Sequence, residues 1–306
     1  MDHTNRNKKL LFITIAILLL IPTSTNWQKK LVKFFFDAQI STYSIYKFEQ
    51  LSDSTVEITG IKNGFKPEVI DIPSRLLKGF HLYSVTSIGG YAFHHEFKLK
   101  RVIIPNSITN IGENPFLQCC NLKEIQVASE NQHFICKDEV LYGKEKYEII
   151  SVLECKEGIF NIPSFIVSIN NHAFNECQKL KKIEIPNSVT YIGDNAFEGC
   201  SNLESIDIPE SVTFLGTRAF ANCINLRNAS IQGQMENIEE EAFEGCFNLE
   251  NVELSSYITH IGFNAFTNCK MLESIHLEDF SRLKTIDPSA FRNCQKLDTS
   301  NLPLGW

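Results

Sequence analysis

The sequence lacks the short motifs by which most soluble enzymes hold phosphates, activate a nucleophile or bind a catalytic metal. It contains no G-x-S-x-G, no H-E-x-x-H, no G-x-x-x-x-G-K-[ST], and no G-x-G-x-x-G after a predicted strand. The nearest cluster of titratable residues is His94-His95-Glu96, but it lies in a predicted turn where adjacent side chains cannot converge on one ion. We therefore expect no enzymatic activity, no cofactor and no metal site.

An excess of basic charge is also missing. The 306 residues include 29 Lys and Arg against 36 Asp and Glu, for a formal net charge of -7, and 43% of the residues are hydrophobic. This composition excludes a disordered chain and a nucleic-acid binder of the basic type. It is typical of an ordinary folded domain.

A regular period dominates what is present. Five of the seven intervals between eight phenylalanines are 23 residues long, and an Ile or Leu stands five residues before each ring. The phenylalanines are Phe93, Phe116, Phe174, Phe197, Phe220, Phe243, Phe266 and Phe291. A period of this length indicates a solenoid of stacked repeats.

Each repeat predicts one short strand and one turn. The stretch L-x-x-I-x-I, as in Leu180, Ile183 and Ile185, alternates in the way typical of a strand with one buried face. Residues 193–200 are too short for a full helix and suit a helical or 3-10 turn that buries the ring. The sequence thus predicts an α/β-type solenoid, a right-handed curved stack of about 9–10 coils with a parallel sheet on its concave side and turns or short helices on its convex side.

This pattern of Ile-Gly, Ala-Phe, Cys, Leu and Ile-x-Ile-Pro resembles the BspA-like leucine-rich repeat family, over about residues 56–303. Residues 69–73 are similar to a first repeat strand, and residues 55–59 to a cap beside it. The resemblance implies a leucine-rich repeat fold found on bacterial and protozoan surface proteins. It also implies recognition of another macromolecule, frequently in adhesion.

The long interval between Phe116 and Phe174 holds 35 residues beyond one period. Residues 139–142 and 147–150 flank a turn at residues 143–146, which predicts a β-hairpin that projects from the solenoid. We place this insertion at about residues 131–157.

The first 27 residues differ in kind from the repeats. Arg6, Lys8 and Lys9 precede twelve uncharged residues, 10–21, which are apolar except for Thr14, as in a signal peptide. The uncharged stretch extends to Trp27, so an uncleaved membrane anchor is the alternative. We divide the chain into residues 1–27 as signal or anchor, residues 28–54 as linker and N-terminal cap, and residues 55–306 as solenoid. Either N-terminal interpretation predicts a secreted or cell-surface protein, with a cytoplasmic location as the alternative.

Seven of the ten cysteines form a column three residues after the phenylalanines: Cys119, Cys177, Cys200, Cys223, Cys246, Cys269 and Cys294. Free cysteine behaves as a small buried hydrophobe, which favours a stack of reduced thiols in the core. A disulfide series and a metal site are the alternatives, and the spacing lacks the paired C-x-x-C of zinc sites. Cys136 and Cys155, on either side of the predicted hairpin, are a possible disulfide.

The exposed face of the predicted sheet is the main candidate binding surface, because repeat proteins commonly bind through it. Its outward side chains vary while the buried columns repeat. The candidate residues are Lys182, Glu184, Ser205, Asp207, Asn228, Ser230, Asn251 and Glu253. Tyr142 and Tyr147 of the predicted hairpin are the alternative site.

Three functional classes remain open at this point. The first is an exported protein that binds a protein or glycan partner through the concave sheet. The second is a self-associating structural element, because Leu297, Leu302 and Trp306 end the last repeat without a polar cap. The third is an intracellular interaction scaffold, which is favoured by the column of cysteines predicted to be reduced thiols. The sequon Asn228-Ala229-Ser230 would block the concave face if it carried a glycan.

Overall fold

The computed structural model describes residues 40–41, 45–78, 81–153, 157–277 and 280–298. The apolar N-terminal segment, Cys155, Leu302 and Trp306 lie outside these residues. Within the described part, no helix is both long and apolar enough to cross a bilayer.

The strands before the insertion form a cap and the first turns of the solenoid. They are β1 (Ile40–Ser41), β2 (Tyr46–Gln50), β3 (Thr55–Ile61), β4 (Val69–Asp71), β5 (Arg75–Lys78), β6 (His81–Ile88), β7 (Arg101–Ile104), β8 (Asn110–Ile111) and β9 (Glu124–Val127). The cap is a sheet in the order β1-β5-β6-β3-β2, in which β8 also pairs with β6. Strand β4 pairs in parallel with β7, and β7 with β9, which confirms that residues 69–71 begin the stack.

The strands of the insertion are β10 (Phe134–Lys137), β11 (Val140–Gly143) and β12 (Glu148–Val152). Both pairs of neighbouring strands are antiparallel, so the predicted hairpin is present with one additional strand. Its strands do not project, however, because every residue of β11 is buried and β12 continues in parallel into the next repeat. Its exposed parts are Ile135 of β10 and the two turns at residues 137–139 and 144–147.

The strands after the insertion alternate between two sides of the stack. They are β13 (Gly158–Asn161), β14 (Ser168–Ile169), β15 (Leu180–Glu184), β16 (Tyr191–Ile192), β17 (Ser205–Ile208), β18 (Phe214–Leu215), β19 (Asn228–Ile231), β20 (Asn237–Ile238), β21 (Asn251–Leu254), β22 (His260–Ile261), β23 (Ser274–Leu277) and β24 (Thr285–Ile286). The longer strands form the concave sheet in the order β13-β15-β17-β19-β21-β23. The two-residue strands form two shorter parallel ladders, β14-β16-β18 and β20-β22-β24, which the sequence pattern did not predict.

The phenylalanine column forms the centre of the solenoid. The rings of Phe174, Phe197, Phe220, Phe243 and Phe266 are fully buried. Neighbouring rings stack with centroids 4.9 Å apart between Phe197 and Phe220 and 5.3 Å apart between Phe220 and Phe243. The spacing is similar from ring to ring because each ring occupies the same place in consecutive turns.

The convex turns are not helical. In the turn around Phe197, Asn195 and Gly199 have φ values of 53° and 73°, in the left-handed region that interrupts a right-handed helix. The N–H groups of Ala196, Glu198 and Cys200 bond within their own turn, whereas those of the intervening residues bond to carbonyls of the next turn. The result is a series of β-turns linked into a ribbon, and not the short helix that the Ala-Phe pair suggested. The sole 3-10 helix of the described residues, Phe280–Arg282, lies elsewhere.

The insertion divides the hydrophobic interior into two cores. Leu141 and Ile150 pack into the core of the turns before the insertion. Their sequence neighbours Val140 and Ile149 pack into the core of the turns after it. The antiparallel sheet is therefore a partition with one face in each core. It also interrupts the concave side, because β9 and β13 do not pair and the expected single sheet becomes sheets of three and six strands.

Candidate functional site

The candidate residues lie together on the six-stranded concave sheet. Strand pairing is in register, with Ser205 opposite Asn228 and Asn228 opposite Asn251 in one row, and Asp207 opposite Ser230 and Ser230 opposite Glu253 in the next. Lys182 lies opposite Ser205, which continues the first row onto β15. Because each strand alternates buried and outward residues, these side chains all face away from the core.

The first row is a chain of side-chain hydrogen bonds. Ser274 Oγ donates to Asn251 Oδ1 at 3.1 Å, and Asn251 Nδ2 donates to Asn228 Oδ1 at 3.1 Å. Hydrogen bonds in such a chain polarise one another. Asn228 ends the chain with its own amide group directed to the surface, where it is exposed.

The second row carries the acidic groups of the face. Ser230 Oγ donates to Glu253 Oε2 at 3.2 Å, and Gln232 Nε2 donates to Ser230 Oγ at 3.0 Å. Glu184 pairs with Lys182 of the same strand, at 3.3 Å. Among the described residues, nothing pairs with the exposed carboxylate of Asp207, which leaves it available to a ligand.

A third row of charged residues borders the sheet where the strands begin. Arg227 Nη1 lies 3.3 Å from Glu250 Oε1, and Lys296 Nζ lies 3.4 Å from Glu273 Oε1. These exposed pairs contribute little to stability, typically below about 1 kcal/mol. The charged groups of these pairs can therefore bind a polar ligand in place of each other with little loss of stability.

The alternative site is only partly available. Tyr142 is buried, with 6% of its surface exposed, and burial raises the pKa of its hydroxyl to about 12. Tyr147 is 52% exposed, and its carbonyl accepts a hydrogen bond from the Val167 N–H at 2.8 Å. The structure thus separates the two tyrosines and leaves Tyr147 alone at the tip of the turn.

The structure also brings His172 near His94 and His95, with the ring of Tyr91 in contact with both His94 and His172. The rings of His94 and His95 have centroids 3.7 Å apart, and the ring of His172 lies 5.5 Å from that of Tyr91. Burial and the neighbouring His95 lower the pKa of His94. No group of three potential metal ligands converges there or elsewhere in the described ranges. Sequence reasoning missed this cluster because the insertion separates its members by more than 70 residues.

Comparison with known proteins identifies the repeats. The family model described as BspA type leucine rich repeat region matches residues 74–161, 153–272 and 215–305, in six copies. A crystal structure of a leucine-rich repeat protein from Eubacterium ventriosum is 30% identical, with a TM-score of 0.67. The aligned part covers 77% of this chain and 61% of that one, so the chain spans less than two thirds of the length of this relative.

A leucine rich cell surface protein from Faecalibacterium prausnitzii is 24% identical over 84% of this chain and 86% of its own, with a TM-score of 0.45. A leucine-rich repeat protein from Bacteroides ovatus is also 24% identical, over 84% of this chain and 69% of its own, with a TM-score of 0.45. No curated protein matches this chain. Because the family model matches repeats over most of the length of this chain, the chain belongs to the BspA type leucine-rich repeat family.

Proposed function

We propose that this chain is a non-enzymatic interaction protein that binds a protein or glycan partner through the concave sheet. The observation that carries the proposal is the contrast between the two sides of the same strands. Buried positions are apolar in strand after strand, as at Ile206 and Val252, while outward positions carry different polar groups. A fixed scaffold beneath a variable polar surface favours recognition, since the surface is free to match a partner.

The availability of hydrogen-bonding groups in the centre of the sheet supports the same function. Asp207 offers acceptor oxygens and Asn228 offers amide N–H groups, on neighbouring strands about 4.8 Å apart. Such a pair can bind a hydroxyl-rich or amide-rich partner, and the carboxylate favours a partner with basic groups.

We further propose that the chain acts outside the cell, either secreted or held by its N-terminal segment. The largely apolar segment 10–21, which follows Arg6, Lys8 and Lys9, supports this location. Protease treatment of intact cells tests it directly, because an exported solenoid should be degraded while cytoplasmic marker proteins survive.

The binding proposal is tested with the double variant Glu184→Lys/Asp207→Lys. Purified wild-type chain is first screened against a glycan array and a surface-protein library, and the affinity for any ligand found is then compared between variants. We expect the double variant to lose at least about tenfold in affinity, which corresponds to roughly 1.4 kcal/mol. The control is Glu236→Lys/Glu240→Lys, which makes the same change in net charge at exposed residues away from the concave sheet.

The hairpin, as the alternative binding site, is tested with a point substitution. Deleting the hairpin would disturb the fold, because residues of the insertion pack into both cores. Tyr147→Asn removes the exposed ring and keeps a residue that tolerates the left-handed φ of 51° at this position. If Tyr147→Asn abolishes binding while Glu184→Lys/Asp207→Lys does not, the concave sheet is only a scaffold and the proposal is wrong.

A further inference from the structure

Two aromatic side chains lie exposed on the ladder β14-β16-β18. Strand pairing places Ser168, Tyr191 and Phe214 opposite one another on consecutive strands. The rings of Tyr191 and Phe214 stack with centroids 5.0 Å apart and an interplanar angle of 7°, and the two residues are 36% and 37% exposed. The same positions of the ladder β20-β22-β24 carry polar residues, among them Asn237 and His260. The scaffold therefore does not require an aromatic pair at this place.

One face of the Tyr191 ring is open. Phe214 covers the opposite face, and no other ring of the described residues contacts Tyr191. The neighbour on the open side, Ser168, has a short side chain whose hydroxyl donates to Asn170 Oδ1 at 2.9 Å. Neighbouring strands lie about 4.8 Å apart, so the space above Ser168 has the spacing of one more planar group in the stack. Because Phe214 fixes the Tyr191 ring on one side, a planar group can stack on the other side with little loss of side-chain freedom.

A carboxylate borders the same space. Glu148 lies opposite Ser168 on β12, the strand that precedes β14 in the sheet. Its Oε2 atom accepts a hydrogen bond from Asn170 Nδ2 at 2.9 Å, which draws the carboxylate toward the turn that follows Ser168. Among the described residues Glu148 forms no ion pair, although Lys146 lies two positions away in sequence. The carboxylate is therefore available to a cation above Ser168.

Further negative charge lies on the hydroxyl side of the ring. Tyr191 Oη is 3.5 Å from Asn171 Oδ1, and Asn171 Nδ2 donates to Glu113 Oε1 at 3.1 Å. Partial burial, and then the carboxylates of Asp194 and Glu113, raise the pKa of the Tyr191 hydroxyl above its ordinary value. Carboxylates that disfavour a further negative charge at this place favour a positive one.

Other exposed rings of the chain are covered by its own cations. Lys270 Nζ lies 5.0 Å from the centroid of the Phe247 ring, and Arg282 Cζ lies 5.8 Å from that of Tyr257. Such cation–π contacts form because the face of an aromatic ring is electron-rich. Within the described ranges, no Lys or Arg lies over the Tyr191 ring. Tyr191 thus combines an open ring face with nearby carboxylates and lacks the cation that comparable rings have.

We propose that the open face of Tyr191 binds an arginine side chain of a partner protein. The planar guanidinium group stacks on the ring above Ser168, and its N–H groups donate to the Glu148 carboxylate. The methylene groups of the arginine pack on the exposed side chain of Val167. A lysine fits less well, because its compact ammonium group is not planar and does not donate in a fixed fork. The site lies on the ladder β14-β16-β18, apart from the concave sheet, and does not depend on that proposal.

The first test compares three peptides with acetylated and amidated ends: Gly-Arg-Gly, Gly-Lys-Gly and Gly-citrulline-Gly. Citrulline keeps the planar shape of the arginine side chain but carries no charge. Each peptide is titrated into the full chain carrying isotope-labelled tyrosine, and the Tyr191 ring resonance is assigned from its absence in Tyr191→Phe. We expect the arginine peptide to shift this resonance saturably and to bind at least about threefold more tightly than the other two peptides.

The second test uses variants, with affinities measured from the resonances of the arginine peptide itself. Glu148→Gln removes the negative charge and keeps an oxygen for the Asn170 amide. Its control is Glu253→Gln, since Glu253 is an exposed carboxylate held by Ser230 on the concave sheet. We expect Glu148→Gln and Tyr191→Ala each to weaken binding about threefold or more, and Glu253→Gln to leave it unchanged.

Four results would overturn the proposal. The Tyr191 resonance does not shift with the arginine peptide, or the citrulline peptide binds equally well, which would indicate a site for neutral planar groups. The lysine peptide binds as tightly as the arginine peptide, which would indicate a site for any cation. Finally, Glu148→Gln binds the arginine peptide as tightly as wild type, or loses no more affinity than Glu253→Gln.

Discussion

The Sγ atom of Cys200 donates to the carbonyl oxygen of Phe174 in the preceding turn, at a distance of 3.2 Å. The same bond recurs along the cysteine column, from Cys119 to Phe93, Cys223 to Phe197, Cys246 to Phe220, Cys269 to Phe243 and Cys294 to Phe266. Each thiol thus fills a small space in the core and also satisfies a carbonyl of the convex ribbon. This explains why a cysteine, and not an alanine, occupies the column.

The redox state of the column follows from this burial. Cys200 is fully buried, and burial raises the pKa of its thiol well above the ordinary value. We expect iodoacetamide to label Cys120 in the native chain and to label the six buried cysteines of the column, from Cys119 to Cys269, only after unfolding. Cys200→Ala should lower the free energy of unfolding by about 1 kcal/mol, with Cys120→Ala as the neutral control. Inter-repeat disulfides found by mass spectrometry would contradict this interpretation.

The phenylalanine stack should dominate the stability of the solenoid. Phe197→Ala removes a fully buried ring that contacts a ring on either side, so we expect a loss of about 3 to 5 kcal/mol in the free energy of unfolding. Phe214 is a matched control, since it also stacks on an aromatic neighbour, Tyr191, but is 37% exposed. Phe214→Ala should cost about 1 kcal/mol. Equal losses for the two variants in denaturant melts would refute the prediction.

Arg218 links three consecutive turns through carboxylates. Its guanidinium group bonds Glu198 Oε1 and Glu244 Oε2, each at 2.8 Å, and also Glu241. Arg218→Ala would leave three half-buried carboxylates near one another, so we expect a loss of about 1 to 3 kcal/mol. Arg227 is the control because it is 62% exposed and pairs with Glu250 alone. Arg227→Ala should change stability by less than about 1 kcal/mol, and urea titration of both variants makes the comparison.

His172 makes the junction between the two cores sensitive to acid. Burial lowers the pKa of its imidazole below the ordinary 6.5, against the opposing effect of Glu198, Glu113 and Asp194. Its Nδ1 atom is buried without a hydrogen-bond partner among the described residues, and the Tyr91 ring covers one side. The folded chain therefore holds this imidazole in its neutral form.

Because the unfolded imidazole takes up a proton near pH 6.5 and the folded one does so only at lower pH, the unfolded state gains protons first. The contribution of His172 to stability is thus complete above about pH 6.5 and decreases as the pH falls below it. We expect thermal melts to show a smaller decrease in Tm between pH 7 and pH 5.5 for His172→Asn than for wild type. Part of the decrease in Tm remains in His172→Asn, because the pKa of His94 is also lowered. An identical pH profile for His172→Asn would disprove this role, and His276→Asn on the exposed concave face is the control.

The insertion shows where local patterns were sufficient and where they were not. The segments 139–142 and 147–150, on either side of a turn, correctly predicted two antiparallel strands. It also suggested a projecting hairpin, because an isolated pattern does not show that both faces of a strand are covered. Leu141 and Val140 have similar sequence signals, yet they belong to different cores. Only the position of the turns before and after the insertion decides this.

The convex turns show a similar limit. The Ala-Phe pair indicated a buried ring, which Phe197 confirms, and suggested a helical turn. Asn195 and Gly199 instead adopt left-handed φ values, because their turn gains hydrogen bonds to the next turn that a helix could not make. Asn and Gly at these positions were a usable signal, since both tolerate this conformation.

The sequence by itself determined the repeat, the family, the buried columns and the set of outward residues on the concave strands. It could do so because every turn of a solenoid repeats the same environment, so one buried position predicts all the others in its column. The tertiary structure alone decided the partition into two cores and the contact of Tyr91 with His172. These features exist where the period fails, and they depend on contacts between distant residues whose pattern no local stretch of sequence contains.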